Sequence, residues 1–249
     1  MREKILLMGG PGTGKTHQLM ETCRWVEERG KEFWVLDMED KVNTFLLGPE
    51  DTPKNLRLSV ALNWEEVRAL IDDWKTKIKP GNWVAVDRVD ILWPMVQRWY
   101  VQERYKEELA DRMLKSAKAI TGSAMMIPRF AEGAWQVINE HYDYVIFNLL
   151  YGFRCHVLLT AGVRAPQDDV SPYEVFSNVG VAPRGQKELP HQPNTALLLS
   201  NKTERDRIGN VTRSWYYTTA KDIKGREYVD QEMLLDFTVQ YLERYCSGS

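Results

Sequence analysis

The sequence predicts an α/β fold in three layers, with a mostly parallel central sheet between helices. Three observations carry this. Short, almost continuous apolar runs recur along the 249 residues. Segments of helical period separate them. The first run passes directly into a glycine-rich turn and then a helix. Runs without alternation are the mark of strands buried on both faces, and strands alternating with helices give a doubly wound architecture.

The strands are expected at "KILLMG" (4–9), "EFWVLDM" (32–38), "NWVAVD" (82–87), "RCHVLLT" (154–160) and "NTALLLS" (194–200). The first helix should run from the glycine-rich turn to about Glu28. "NWEEVRALIDDWKTKI" (63–78) opens on Asn63, a good cap, and stops before Pro80–Gly81. A third helix is expected over roughly 131–150, where Trp135, Ile138, Tyr142, Val145 and Leu149 share one face. At the C-terminal end, "RSWYYTTAKD" (213–222) and "REYV" (226–229) read as a β-hairpin, followed by an amphipathic helix over about 231–245. Two stretches break the rhythm, 91–130 and 163–193. Long stretches of that kind inside a compact domain are usually functional. The chain reads as a single domain over 1–249 with these two as insertions.

Composition narrows the function. No apolar run approaches the roughly 18 residues of a membrane span, and "MREKILLMGG" reads as a first strand, not a leader. Three scattered cysteines and four scattered histidines fit no metal pattern and point to a reducing, cytoplasmic setting. A net charge of -2 leaves any nucleic-acid contact to local patches.

The strongest motif is "GGPGTGKT", residues 9–16. Gly9, Gly10, Pro11, Gly12, Thr13, Gly14, Lys15, Thr16 and the adjoining His17 have the P-loop spacing. Glycines let successive N–H groups converge on phosphate oxygens, and the helix beyond them presents its positive end. Lys15 would bring a charge to the β- and γ-phosphates, and the Thr16 hydroxyl would ligate Mg²⁺. ATP and Mg²⁺ are therefore the expected ligands. Asp87, which ends "WVAVD", is the matching metal-side carboxylate. Arg88 comes next, where a water-orienting Glu often stands; Asp90 is one candidate base, but three residues on from Asp87 it reads better as pointing away or capping the next helix. The proton acceptor must then come from elsewhere.

In these motifs the chain resembles the RecA-like class of P-loop ATPases, and most closely small phage-encoded members linked to recombination and single-strand annealing. The likeness runs from about residue 4 to 229. It implies a RecA-like fold and Mg²⁺-dependent ATP hydrolysis. It implies that Glu39 in "WVLDMED" is the catalytic carboxylate, with Asp37 supporting the strand end and Asp40 capping the next segment. It implies that Thr160, ending "HVLLT", senses the γ-phosphate with Arg164 nearby, although the polar Gln or Asn of the class is missing from "TAGVR". A cation from a neighbouring subunit is also implied. "TAKDIKGRE" keeps Lys221 but has Ile223 where the class has Arg, so Arg226 or Lys224 would stand in. The implied assembly is a homo-oligomer, either ring or filament.

The class contacts DNA through two loops, which fall at the two irregular stretches. The first carries Arg98, Trp99, Arg104, Lys106 and Arg129. Basic residues interleaved with aromatics suit single-stranded DNA, yet the same run makes a good amphipathic helix. The second carries Arg164, Arg184 and Lys187 among several acids. Two other readings compete: a nucleotide kinase, which would need an Arg-rich lid, and a packaging or remodelling motor, which would need a Glu beside Asp87.

Overall fold

The computed structural model describes residues 2–46, 48, 52–119, 132–165, 176, 178–205, 211–234 and 237–246. At its centre is β1 (Lys4–Gly9), whose six residues are all buried. Parallel partners flank it: β5 (His156–Ala161) on one side and β8 (Thr195–Arg205) on the other. Beyond β5 lie β4 (Trp83–Asp87), β2 (Phe33–Asp37) and the edge strand β3 (Leu56–Val60), all parallel. The far edge turns antiparallel through β9 (Val211–Asp222) and the two-residue β10 (Glu232–Met233). The order is β10-β9-β8-β1-β5-β4-β2-β3. One strand, β5, thus separates β1 from β4. This is the three-layer arrangement with a mostly parallel central sheet that the sequence predicts.

The continuous apolar strands result from burial on both faces. In β1, Leu6 and Met8 pack into one core while Ile5 and Leu7 pack into the other. The first core lies under α2 (Trp64–Lys77), α3 (Leu92–Tyr105) and α5 (Glu132–Phe147), with Trp64, Trp74 and Tyr142 at its heart. The second lies under α1 (Lys15–Glu27) and the C-terminal helical turns, through Leu19, Cys23, Phe237 and Tyr241. Asn63 caps α2 by accepting from Glu66 N at 2.9 Å, and Glu65 and Glu66 fill its first turn.

In the region 91–130 the helical reading holds where the chain is described, as two helices, α3 and α4 (Leu109–Ala119), broken at Lys106, whose φ is 56°. Other expectations change. The described part of 163–193 holds a short antiparallel pair, β6 (Val163–Arg164) with β7 (Ala182–Pro183). The hairpin is β8 with β9, not 213–222 with 226–229, because β8 runs on to Arg205. Glu232–Met233, expected in the last helix, pair with β9 instead, and the helical segment is described from Phe237 on. The strand β3 was not anticipated; its residues are half-buried apart from the exposed Arg57. No described helix is long and apolar enough to cross a membrane.

Candidate active site

The parallel strands end together, so β1, β2, β4 and β5 deliver their next residues to one edge of the sheet. At the end of β1 the loop 9–14 turns back over the strand. Gly9 has to be glycine, because a Cβ there would lie 2.5 Å from Leu199 O and 2.6 Å from Thr13 Oγ1. Gly14 has a φ of 91° and hands the chain to α1. No side chain caps that end of α1, and no acid lies in its first turn. The first amides are left for an anion.

Lys15 Nζ donates to Gly9 O at 2.9 Å and to Gly10 O at 2.8 Å. Burial lowers the pKa of its ammonium, and the neighbouring Arg88 lowers it further. Thr16 Oγ1 donates to Asp87 Oδ2 at 2.7 Å. Thr160, buried at the end of β5, donates to the other oxygen, Oδ1. Asp87 is itself buried, which pushes its carboxyl pKa up; the two threonine hydroxyls pull it back, and Asp37 and Glu39 push it up again. A hard cation fits this place. Oxygen donors converge there, with the Thr16 hydroxyl 2.7 Å from the Asp87 carboxylate. Among the described residues no group of three or more His, Cys, Asp or Glu could hold a metal.

Across the edge, the three acids of β2 separate into different tasks. Asp37 is fully buried and accepts from Glu39 N at 3.0 Å and Val42 N at 2.7 Å. It caps the turn, the task expected of Asp40. Asp40 instead has a φ of 52° and accepts from the Asn43 amide at 3.1 Å. Glu39 points its carboxylate at Arg88, 3.3 Å away, and at Lys41, 3.0 Å away. Arg88, joined to Asp87 by a cis peptide bond, also grips Asp90 through two nitrogens at 3.1 and 2.7 Å. Asp90 does not cap α3; it is buried and accepts from Gly162 N at 3.3 Å. Arg88 therefore ties the acid of β2 to the end of β5.

The residues expected to supply a neighbour's cation have partners within their own subunit. Lys221 and Arg226 lie at the opposite edge of the sheet, since Thr195, opposite Asp222, pairs with Ile5 near the start of β1. Lys221 is buried, with its ammonium donating to Pro190 O and His191 O at 3.0 Å each. Arg226 and Lys224 both pair with the buried Glu3, at 2.8 and 2.7 Å. Their charges are committed inside the subunit.

Of the nucleic-acid candidates, Arg98, Arg104 and Lys106 are exposed on or just after α3. Trp99 is half-buried against the His141 ring, 4.3 Å between centroids. Arg164 is in β6, Arg184 Nε donates to Val163 O at 3.0 Å, and Lys187 is exposed beside Glu188. These form two groups. Arg129 lies outside the described residues.

Sequence reasoning missed β9 at the phosphate loop. Asn201 and Trp215, opposite each other in the β8–β9 hairpin, both donate to Gly12 O, at 3.1 and 3.2 Å. The signal was present in "RSWYYTTAKD", but only the extended pairing of β8 carries it to residue 12.

A family model described as an AAA domain matches residues 1–219. The chain belongs to this AAA-domain family. No curated protein matches it. Among solved structures it is similar to the RadB recombinase, with 13% identity, a TM-score of 0.48, and coverage of 92% of this chain and 84% of that one. As an AAA-type member the chain is a P-loop ATPase by family, and its loop 9–16 and Asp87 stand at one sheet edge.

Proposed function

We propose that this AAA-domain chain is a Mg²⁺-dependent ATPase of RecA type that acts on DNA, chiefly single-stranded, in phage-type recombination or strand annealing. The observation that carries the hydrolytic reading is the Thr16–Asp87 contact of 2.7 Å beside an uncapped α1. The amides of residues 12–16 and Lys15 bind the triphosphate, for which Lys15 exchanges its loop carbonyls. Thr16 and Asp87 would hold Mg²⁺, which offsets phosphate charge when bound. Glu39 orients the attacking water and takes its proton. To do so its carboxylate leaves Arg88, which keeps Asp90 as a partner. Thr160 fixes the Asp87 carboxylate and reports the γ-phosphate to β6, where Arg164 lies.

The DNA reading draws support from the exposed basic side chains of Arg98, Arg104 and Lys106, and from Arg184 and Lys187 on the β5 side. A homo-oligomer, ring or filament, would align such patches along a strand. The test is direct. ATP turnover by the purified chain should rise with a single-stranded oligonucleotide, and binding should weaken steeply with salt. If no oligonucleotide binds at low salt and turnover ignores it, the DNA reading fails while the ATPase reading stands. Electron microscopy with an ATP analogue, with and without oligonucleotide, decides between ring and filament.

A further inference from the structure

The cavity at the amino end of α1 extends beyond the phosphate loop. It measures about 680 Å³ and is lined by Gly14, Thr16, His17, Gln18, Trp215 and Leu234. A triphosphate accounts for the loop end alone. Two further features border the same space beside Gly14. Trp215 is a large ring, 38% exposed, whose indole N–H is pinned to Gly12 O. Pinning the edge fixes the ring beside the loop: a Cβ at Gly14 would lie 3.7 Å from its Cδ1. Gln18 is the second feature. Its side chain is only 8% exposed, yet its Oε1 is buried with no hydrogen-bond partner. Its Nε2 is 3.9 Å from that same Gly14 point, so the amide and the indole border one space. A buried acceptor left without a donor is costly and calls for a ligand that supplies one.

We propose that this is a nucleobase pocket, in which Trp215 stacks on adenine and Gln18 accepts a hydrogen bond from its exocyclic amino group. The inference rests on the nucleotide reading above and deepens it. An aromatic face offers any base a stacking surface. The carboxamide adds the choice: it can pair with the amino group and N7 of adenine at once, an edge where inosine presents two acceptors. Inosine carries a carbonyl where adenine carries its amino group, so it brings the Gln18 oxygen an acceptor instead of a donor. Leu234 supplies apolar contact at the mouth of the cavity.

The experiment is calorimetric titration of the full chain with the Mg²⁺ salts of ATP, inosine triphosphate and inorganic tripolyphosphate. Trp215→Ala should weaken ATP roughly tenfold or more, the worth of one stacked base, and leave tripolyphosphate within about twofold. Trp215→Phe, which keeps a ring but loses the indole N–H, should retain most ATP affinity. Gln18→Leu should erase a preference for ATP over inosine triphosphate that the unaltered chain shows. The proposal is overturned if Trp215→Ala binds ATP normally, or if tripolyphosphate weakens in step with ATP, since Trp215 would then only brace the loop. Equal binding of ATP and inosine triphosphate by the unaltered chain removes Gln18 from the proposal. Failure of the unaltered chain to bind either ATP or tripolyphosphate overturns the nucleotide reading itself.

Discussion

Replacing Arg226 by Ala separates a structural cation from a catalytic one. Its guanidinium donates to Glu3 at 2.8 Å and to Tyr241 Oη at 2.6 Å, and both acceptors are buried. Removing one partner of a buried ion pair costs about 3–5 kcal/mol when the other charge is stranded. Here Glu3 keeps Lys224 at 2.7 Å, so the lower end applies, about 3 kcal/mol. For a chain of this size that corresponds to a fall in Tm of about 6–12 °C. Thermal unfolding monitored by circular dichroism measures it. A cycle with Glu3→Ala should show that the two losses are not additive, because the pair is counted in both. Hydrolysis below the transition should keep its specific activity. A Tm within about 2 °C of the original, together with loss of turnover only in assembled protein, would refute the assignment and restore Arg226 as an in-trans group.

Three further outcomes are expected. Glu39→Gln should still bind ATP but turn it over at least about 100-fold more slowly, while Asp40→Asn stays near normal; a steady-state phosphate-release assay compares them. Asn63→Ala removes the side-chain cap on α2 at Glu66 N and should cost about 1 kcal/mol in urea unfolding. His156 accepts from Glu3 N through Nδ1, and burial lowers its pKa from 6.5 to about 4. The unfolded ring takes a proton below about 6.5 and the folded ring does not. Its contribution is therefore present above pH 6.5 and lost as pH falls towards 4, at most about 3 kcal/mol. His156→Gln should flatten that part of the stability profile, and an unchanged slope would contradict this.

Local chemistry explains what could be read without coordinates. Strands 4–9 and 83–87 are announced by unbroken apolar residues, and the P-loop by spacing that few other loops need. Asp87 stands out because it ends such a strand, whereas Glu39, two residues beyond the end of β2, is singled out only through the resemblance. Other features depend on contacts between distant segments. That Asp37 and not Asp40 caps the turn depends on which carboxylate faces inward, and both acids come after the same apolar run. The burial of Lys221 depends on the carbonyls of residues 190 and 191, some thirty positions earlier. The edge strand β3 lacks the apolar continuity of the centre because only part of it is covered. Helix α3 shows both an amphipathic period and a basic, aromatic surface, so its sequence supports a helix and a DNA contact equally.

Strand β9 joins two places otherwise separated by the height of the sheet. Trp215 holds the carbonyl of Gly12 near one end, and Lys221, next to Asp222 and the turn that carries Arg226 to Glu3, is anchored at the other. The extended chain from Trp215 to Lys221 spans about 20 Å. The strand acts as a tie rod. A slip of one residue in β8–β9 pairing would turn Trp215 to the other face and leave the Gly12 carbonyl to Asn201 alone.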